Sequence, residues 1–483
     1  MNPPTMTPMR PESAMFPDQA LNRHRLQVRC LSLALCTLMT SSLLPSTGQA
    51  KVSAEEAKQL GTTLMPLGGE RRASTSGWVP AWEGGLHTPP AHYGGPGSFH
   101  PDPFDKESPI AIISPDNQKA YASLLSPAHK ALLEHFPESF QIHLFPSHRT
   151  HAAPQWLYEN TRKNAVAAEL TEDGNGLKQV LGGVPFPIPQ NGTEVVWNHL
   201  TRWRGKLLRR DEAEAVVFKN GTHKLVISDL EVTFNYYRPR NRPEDYNDIL
   251  LYYISVIKSP PALAGGAFLL IDPVNQLTTP RQTWGYNNGQ RRVRRIPHIS
   301  YDSPALVAES VRTTDDTDMF NGSPDRFDWQ ILGKQEMIVP YSCYRMGLPE
   351  VSYDQLLTPG HLAPEFIRNE VHRVWVVEGR LKNGKSHVYR RRTLYIDEDS
   401  WGILIAENYD HEDQLWRVGF SHTRQVYEVP GVMPFADAFY DLKTGLYNVK
   451  GMQNHASQSG IFSDDMPDPE YYSPATLRAR GHR

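Results

Sequence analysis

Apolar side chains fall at helical spacing up to about residue 205 and at every second position after it, so helices are expected first and strands later. Ala215-Val216-Val217-Phe218 and Lys224-Leu225-Val226-Ile227 flank Asn220-Gly221. That dipeptide favours a tight hairpin, because its residues tolerate the positive φ such turns need. Residues 250–257, 267–271 and 291–295 read as further strands. A second hairpin runs from 373–378 through Asn383-Gly384 to 388–396, and Asp397-Glu398-Asp399 makes the next turn. Residues 403–409 and 414–421 complete a meander. Short strands joined by local turns predict one large antiparallel sheet, curved or barrel-like, with neither an internal repeat nor a parallel βαβ unit.

Upstream, Ser53-Ala54-Glu55-Glu56 is a capping box that opens a short helix to about residue 60. Residues 61–114 are rich in Gly, Pro, Trp and His and read as an extended arm lying on the body. Helical signals return at 116–135, where Ser126-Pro127 is an N-cap followed by proline at the first helical position and Leu132, Leu133 and Phe136 form the apolar face. Another helix is expected over 154–169. Prolines alternate through 184–189 and exclude a central strand there. Val195, Val196, Leu200 and Trp203 give 194–203 helical spacing. The expected division is a leader at 1–50, arm and helices at 51–205, sheet at 206–450 and a polar, turn-rich tail at 451–483.

The leader changes the composition. Arg23, Arg25 and Arg29 precede an apolar run over 31–44, and Gly48-Gln49-Ala50 supplies a small-residue exit. This is the layout of a secretory signal cleaved near Ala50, and the run is too short for a membrane span. Its loss removes Cys30 and Cys36 and leaves Cys343 alone, which excludes an internal disulfide and cysteine-based zinc or redox chemistry. It also removes four basic and two acidic residues, so the net charge passes from −3 to −5. Near-balanced charge argues against a dedicated nucleic-acid binder. Forty prolines, 34 glycines and 48 aromatics argue against a coiled coil or simple bundle. The mature chain is expected to be soluble in the periplasm.

Several motifs invite chemistry that their context does not support. Gly379-Arg380-Leu381-Lys382-Asn383-Gly384-Lys385-Ser386 fits the phosphate-loop pattern at every specified position, yet the following residues have strand alternation and offer no helix N-terminus to a phosphate. No nucleotide is expected. Asp315, Asp316, Asp318, Asn321 and Asp325 form an acidic loop that fails the EF-hand spacing, and pairing with Arg312 and Arg326 is the favoured reading over calcium. Arg291-Arg292-Val293-Arg294-Arg295 places Arg292 and Arg294 on one strand face and Arg291 and Arg295 on the other. That split suggests ion pairs with the acidic loop, or a rim that meets anionic head groups. No catalytic residue, metal ligand or cofactor is assigned. Trp78, Trp82 and Trp156 are read as packing residues.

The stretch Trp284-Gly285-Tyr286, the basic run ending Arg294-Arg295-Ile296, and Asp318-Met319-Phe320-Asn321-Gly322-Ser323-Pro324-Asp325 resemble the outer-membrane lipoprotein-sorting-like proteins. Leu394-Tyr395-Ile396-Asp397 and Leu415-Trp416-Arg417 match their closing hairpins. Ala153-Pro154-Gln155-Trp156 and Gly183-Val184-Pro185-Phe186-Pro187 make the whole chain similar to a Proteobacterial periplasmic family of unknown function in that superfamily. The resemblance implies an α+β, predominantly antiparallel, LolA/LolB-like open half-barrel, with helices covering the mouth and a long N-terminal arm. It implies a carrier or binding protein for a lipid or other hydrophobic molecule, with an RND-type transporter and an outer-membrane protein as partners. The alternatives are an enzyme acting on an envelope glycan or lipid and a non-carrier assembly adaptor. The residues expected to touch ligand or shape the rim are Trp284, Tyr286, Arg292, Arg294, Arg295, Asp316, Asp318, Phe320 and Arg326.

Overall fold

Asn220-Gly221 turns the first long hairpin as its chemistry demands: Gly221 takes a φ of 83°, which costs glycine little and other residues more. Leu207–Val217 and His223–Thr233 pair without a slip from Leu207↔Thr233 to Val217↔His223. These strands belong to a computed structural model that describes residues 52–240, 247–296 and 301–481. The expected leader and its cleavage site lie outside the described residues.

From this hairpin the sheet extends through Ile249–Ser259, Ala267–Pro273 and Gln282–Asn287 to an edge strand, Arg292–Arg295. On the other side Leu207–Val217 joins Leu446–Met452, and the meander continues backward through Gly431–Asp441, Leu415–Val426, Ile403–Tyr409 and Arg391–Asp397 to Asn369–Leu381. Phe327–Pro340 pairs along Asn369–Leu381, while Ile142–Leu144 meets it by one parallel bridge and carries Ala111–Ile113 on its far side. The result is a 16-stranded, open and almost wholly antiparallel sheet with few helices, as expected.

The two halves of this sheet are filled differently. The meander half is covered on both faces. One face packs Leu394, Ile396 and Ile403 against Trp401 and the helix Gly192–Leu200. The other packs Ile405, Phe435 and Tyr447 against the helix Pro127–His135 and residues 341–362. The helix Gly192–Leu200 is capped by Asn191, which accepts the Glu194 amide at 3.0 Å. It lies so close to its neighbour that a Cβ on Gly192 would stand 2.5 Å from the Trp329 carbonyl carbon.

Four differences from the sequence expectations have local causes. The second strand of the later hairpin is Arg391–Asp397, because residues 382–390 leave the ladder so that His387 and Tyr389 can bury against Asp315 and Asp316. Phe327–Pro340 is a strand not flanked by a hairpin turn between two alternating runs, and it is interrupted by a register shift between Ile331 and Gly333. Gly431–Asp441 and Leu446–Met452 extend the meander beyond 421. Within 451–483, Ile461–Ser463 adds a short strand and Pro474–Gly481 a helix. The three tryptophans pack: Trp82 is buried with its Nε1 on the His151 carbonyl at 2.9 Å, Trp156 meets Trp203 edge-on, and Trp78 lies against Ile113 and Leu144. Cys343 is buried and free.

Candidate functional site

The other half of the sheet is hollow. Side chains alternate across a strand, so one face of 223–295 meets the protein and the other meets a cavity of about 690 Å³. The register aligns two rows across the cavity wall. Leu230, Ser255, Phe268 and Gly285 form one, and Val232, Tyr253, Leu270 and Thr283 the other. Most of these apolar groups are only half-buried and line the open volume. On the opposite face Tyr252, Ile254, Leu269 and Tyr286 pack against Tyr472 and Leu477, which brace the wall from behind.

Across the cavity stand Trp197, Leu200, Phe234 and Val274, with residues 303–307 and 314–324 as a cover. Leu306 on this cover is 77% exposed. The cover is clamped by buried ion pairs. Arg392, which is fully buried, reaches Asp315 at 2.9 Å and Asp316 at 3.4 Å. His387 adds a contact to Asp315 at 3.1 Å, and Tyr389 donates its hydroxyl to Asp316 at 2.8 Å. Despite its burial Asp315 is held well below the usual carboxylate range by Arg392 and His387. Asp318 and Met319 take left-handed φ values of 60° and 63°, which swing the Asp318 carboxylate between Arg202 and Arg204. Those two guanidiniums likewise overcome burial and depress Asp318.

One end of the cavity is polar. Glu212 takes Lys450 and, at 2.6 Å, Arg210. Burial works against its charge, and the two cations more than offset it, bringing Glu212 down to about 2. Arg312 meets Glu214 at 2.8 Å. Asp437 is different: among the described residues its one direct side-chain partner is the Ser421 hydroxyl at 2.8 Å, and burial together with the Asp318 charge pushes it up to about 6. Arg424 also lines this end.

Of the residues expected at the site, Asp318 lines the cavity, while Tyr286 borders it and packs its ring behind the wall with Tyr472 and Leu477. Trp284 packs partly buried with Tyr252 and Leu477 behind the wall. Phe320 is buried edge-on to Trp329, and Asp316 is buried in the clamp. Arg326 lies over Tyr301 and donates to the Ser386 carbonyl at 2.6 Å. Arg292, Arg294 and Arg295 are exposed on the edge strand and form no ion pair among the described residues. The expected pairing of that strand with the acidic loop is therefore corrected: Arg202, Arg204 and Arg392, together with Lys385 on Asp325 at 3.1 Å, reach those acids first. Arg312 and Arg326 likewise serve other partners, Glu214 and Asp302. The wall residues Tyr253, Phe268 and Leu270 and the polar-end residues Arg210, Arg424 and Lys450 were not singled out. Their one sequence signal is that 250–257 and 267–271 are apolar on both faces, which a strand with one solvated face does not need.

Among the described residues, His372, Asp397 and Asp399 bring possible ligand atoms within 4.8 Å of one another. Arg149 already holds Asp399 through two hydrogen bonds of 2.9 and 2.5 Å, and Ser400 and Tyr341 donate to Asp397. A cation there would have to displace a guanidinium.

A family model described as "Protein of unknown function (DUF1329)" matches residues 112–478. The chain belongs to the DUF1329 family. Uncharacterized protein PA3922 of Pseudomonas aeruginosa is 38% identical over 446 residues, 92% of this DUF1329 chain and 98% of that protein. Among solved structures, a DUF1329 family protein from Desulfovibrio piger has 16% identity and a TM-score of 0.39, covering 56% of this chain and 92% of its own. A LolA superfamily protein from Nitrosomonas europaea has 14% identity and a TM-score of 0.36, covering 60% of this chain and 100% of its own. Among the described residues of this DUF1329 protein, no helix is long and apolar enough to cross a membrane.

Proposed function

We propose that the protein is a periplasmic carrier or binding protein for a lipid or other hydrophobic molecule, working with an envelope transport system that includes an RND-type transporter and an outer-membrane protein. The single observation that carries this reading is the half-buried apolar wall, where aligned rows from four strands face about 690 Å³ of space. That volume falls among cavities that hold small ligands, roughly 300–1,000 Å³. An acyl chain gains about 0.8 kcal/mol per buried CH2, so the wall needs no catalytic group to bind one tightly. The test is native mass spectrometry of the full chain purified from cell envelopes. A reproducible lipid adduct is expected; a chain that comes out ligand-free and takes up no fatty acid or detergent at the wall refutes the reading.

A second reading, an enzyme acting on an envelope lipid, draws support from one feature. Asp437 and Asp318 are carboxyls of the same cavity whose proton affinities are pushed in opposite directions. It predicts that incubation with a bound lipid releases a cleavage product, and that Asp437→Asn abolishes the release. An unchanged lipid mass after incubation removes it.

A further inference from the structure

We propose that the cavity takes amphiphiles with an anionic head, a carboxylate or a phosphate, and that Arg424 receives the head. The inference rests on the carrier reading and narrows it to a ligand class.

Five arginines line the cavity, and four have a carboxylate. Arg204 pairs with Asp318 at 2.5 Å, Arg210 with Glu212 at 2.6 Å, Arg281 with Asp272 at 2.8 Å and Arg312 with Glu214 at 2.8 Å. Arg424 has none. It sits on Leu415–Val426, is 4% exposed, and lies over the Phe435 ring at 4.7 Å. Among the described residues its guanidinium makes no ion pair and donates no hydrogen bond. The candidate counter-charges are engaged or weakened. Glu428 is taken by Tyr93 and by His100 at 2.8 Å. Asp437 accepts from the Ser421 hydroxyl at 2.8 Å and, among the described residues, makes no ion pair with Arg424. Arg210 adds a second positive charge near Arg424, and burial together with that charge lowers Arg424 to about 10, so it remains charged at neutral pH.

A guanidinium carries five donors and is costly to bury without an acceptor. Here Arg424 lines an open volume whose lining includes the apolar wall. A bidentate acceptor on a hydrocarbon chain satisfies both ends at once: carboxylate and phosphate oxygens match the planar fork, and the chain follows the rows through Phe268 and Leu270. Val426, Met433 and Phe462 also line the cavity and add apolar surface for the chain.

The full chain, stripped of lipid, is titrated with palmitate, hexadecyl phosphate and hexadecanol at pH 7.5 and read by tryptophan fluorescence. At least one of the two anions is expected to bind about tenfold or more tighter than hexadecanol, and the palmitate-to-phosphate ratio tells which head the site prefers. Arg424→Met is expected to bring the anion-to-alcohol ratio towards one, while Arg424→Lys retains part of it. Equal affinity for all three ligands overturns the anion assignment and leaves the carrier reading standing. Binding of none overturns both. A preference that survives in Arg424→Met also overturns the assignment. The wild-type ratio reads the proposal even if the methionine variant fails to fold. Inorganic phosphate that raises the Tm as much as hexadecyl phosphate does would make this a free-anion site and overturn the amphiphile.

Discussion

Asp437→Asn should stabilise the protein at neutral pH and leave it unchanged in acid. The carboxyl is buried on Gly431–Asp441 with a single direct hydrogen bond, from Ser421. Burial and the Asp318 charge raise it from an ordinary value of 3.8 to about 6. The folded protein therefore binds this proton more tightly than the unfolded chain does. Below about pH 4 both states are protonated and the group is neutral to stability. As pH rises from about 4 to about 6 the unfolded chain releases its proton first, and folding loses about 1.36 kcal/mol per pH unit. Above about pH 6 the loss levels off at about 3 kcal/mol. An asparagine keeps the acceptor for Ser421 and carries no charge, so the difference between variant and wild type should climb from about zero at pH 4 to about 3 kcal/mol at pH 7.5. Urea unfolding of both proteins across that range reads it directly, and the comparison cancels other titrating groups such as Asp397, itself raised to about 6. A difference that is flat with pH, or a variant less stable at pH 7.5, would refute the reasoning.

Arg392→Met leaves Asp315 and Asp316 buried without their shared guanidinium and should cost about 3–5 kcal/mol in chemical denaturation; Asp315→Asn in the same chain should recover part of it. Leu477→Ala removes a fully buried side chain behind the cavity wall and should cost about 2–5 kcal/mol, with faster amide exchange in Ala267–Pro273. Leu270→Glu places a charge on the half-buried wall and should abolish uptake of an apolar fluorescent dye while Tm moves little, because Leu270 is half-buried and lines the open cavity. Gly192→Ala should destabilise by more than 1 kcal/mol, since its Cβ meets the backbone of Trp329 rather than a movable side chain.

The sheet was legible where two signals coincide. Asn220-Gly221 lies between alternating runs and fixes both the turn and the register. Phe327–Pro340 lacks such a turn and went unrecognised, although it is the longest strand. The phosphate-loop pattern failed for the reason its context gave: Gly379 sits inside Asn369–Leu381, opposite Arg392 on the next strand. The acidic loop was legible as a structural device, but its partners were not, because Arg202, Arg204 and Arg392 come from distant elements that only the fold brings together. Arg424 was invisible for the same reason. Nothing local separates it from other strand arginines, and its distinction is a partner that the fold withholds.

The two halves of the sheet meet at strands far apart in the chain. The first long strand, Leu207–Val217, lies beside Leu446–Met452, and Asn448 reaches Glu214 across 234 residues of chain. Closing a loop of that length costs about 5 kcal/mol from its length dependence alone. A chain growing from its N-terminus therefore makes the cavity wall early, the seam late, and the bracing helix Pro474–Gly481 last. Until that seam forms, the strands of 223–287 present apolar side chains on both faces with neither ligand nor brace against them. Truncation before 446 should leave this half unpaired and prone to aggregate, so the cavity is among the last features the growing chain completes.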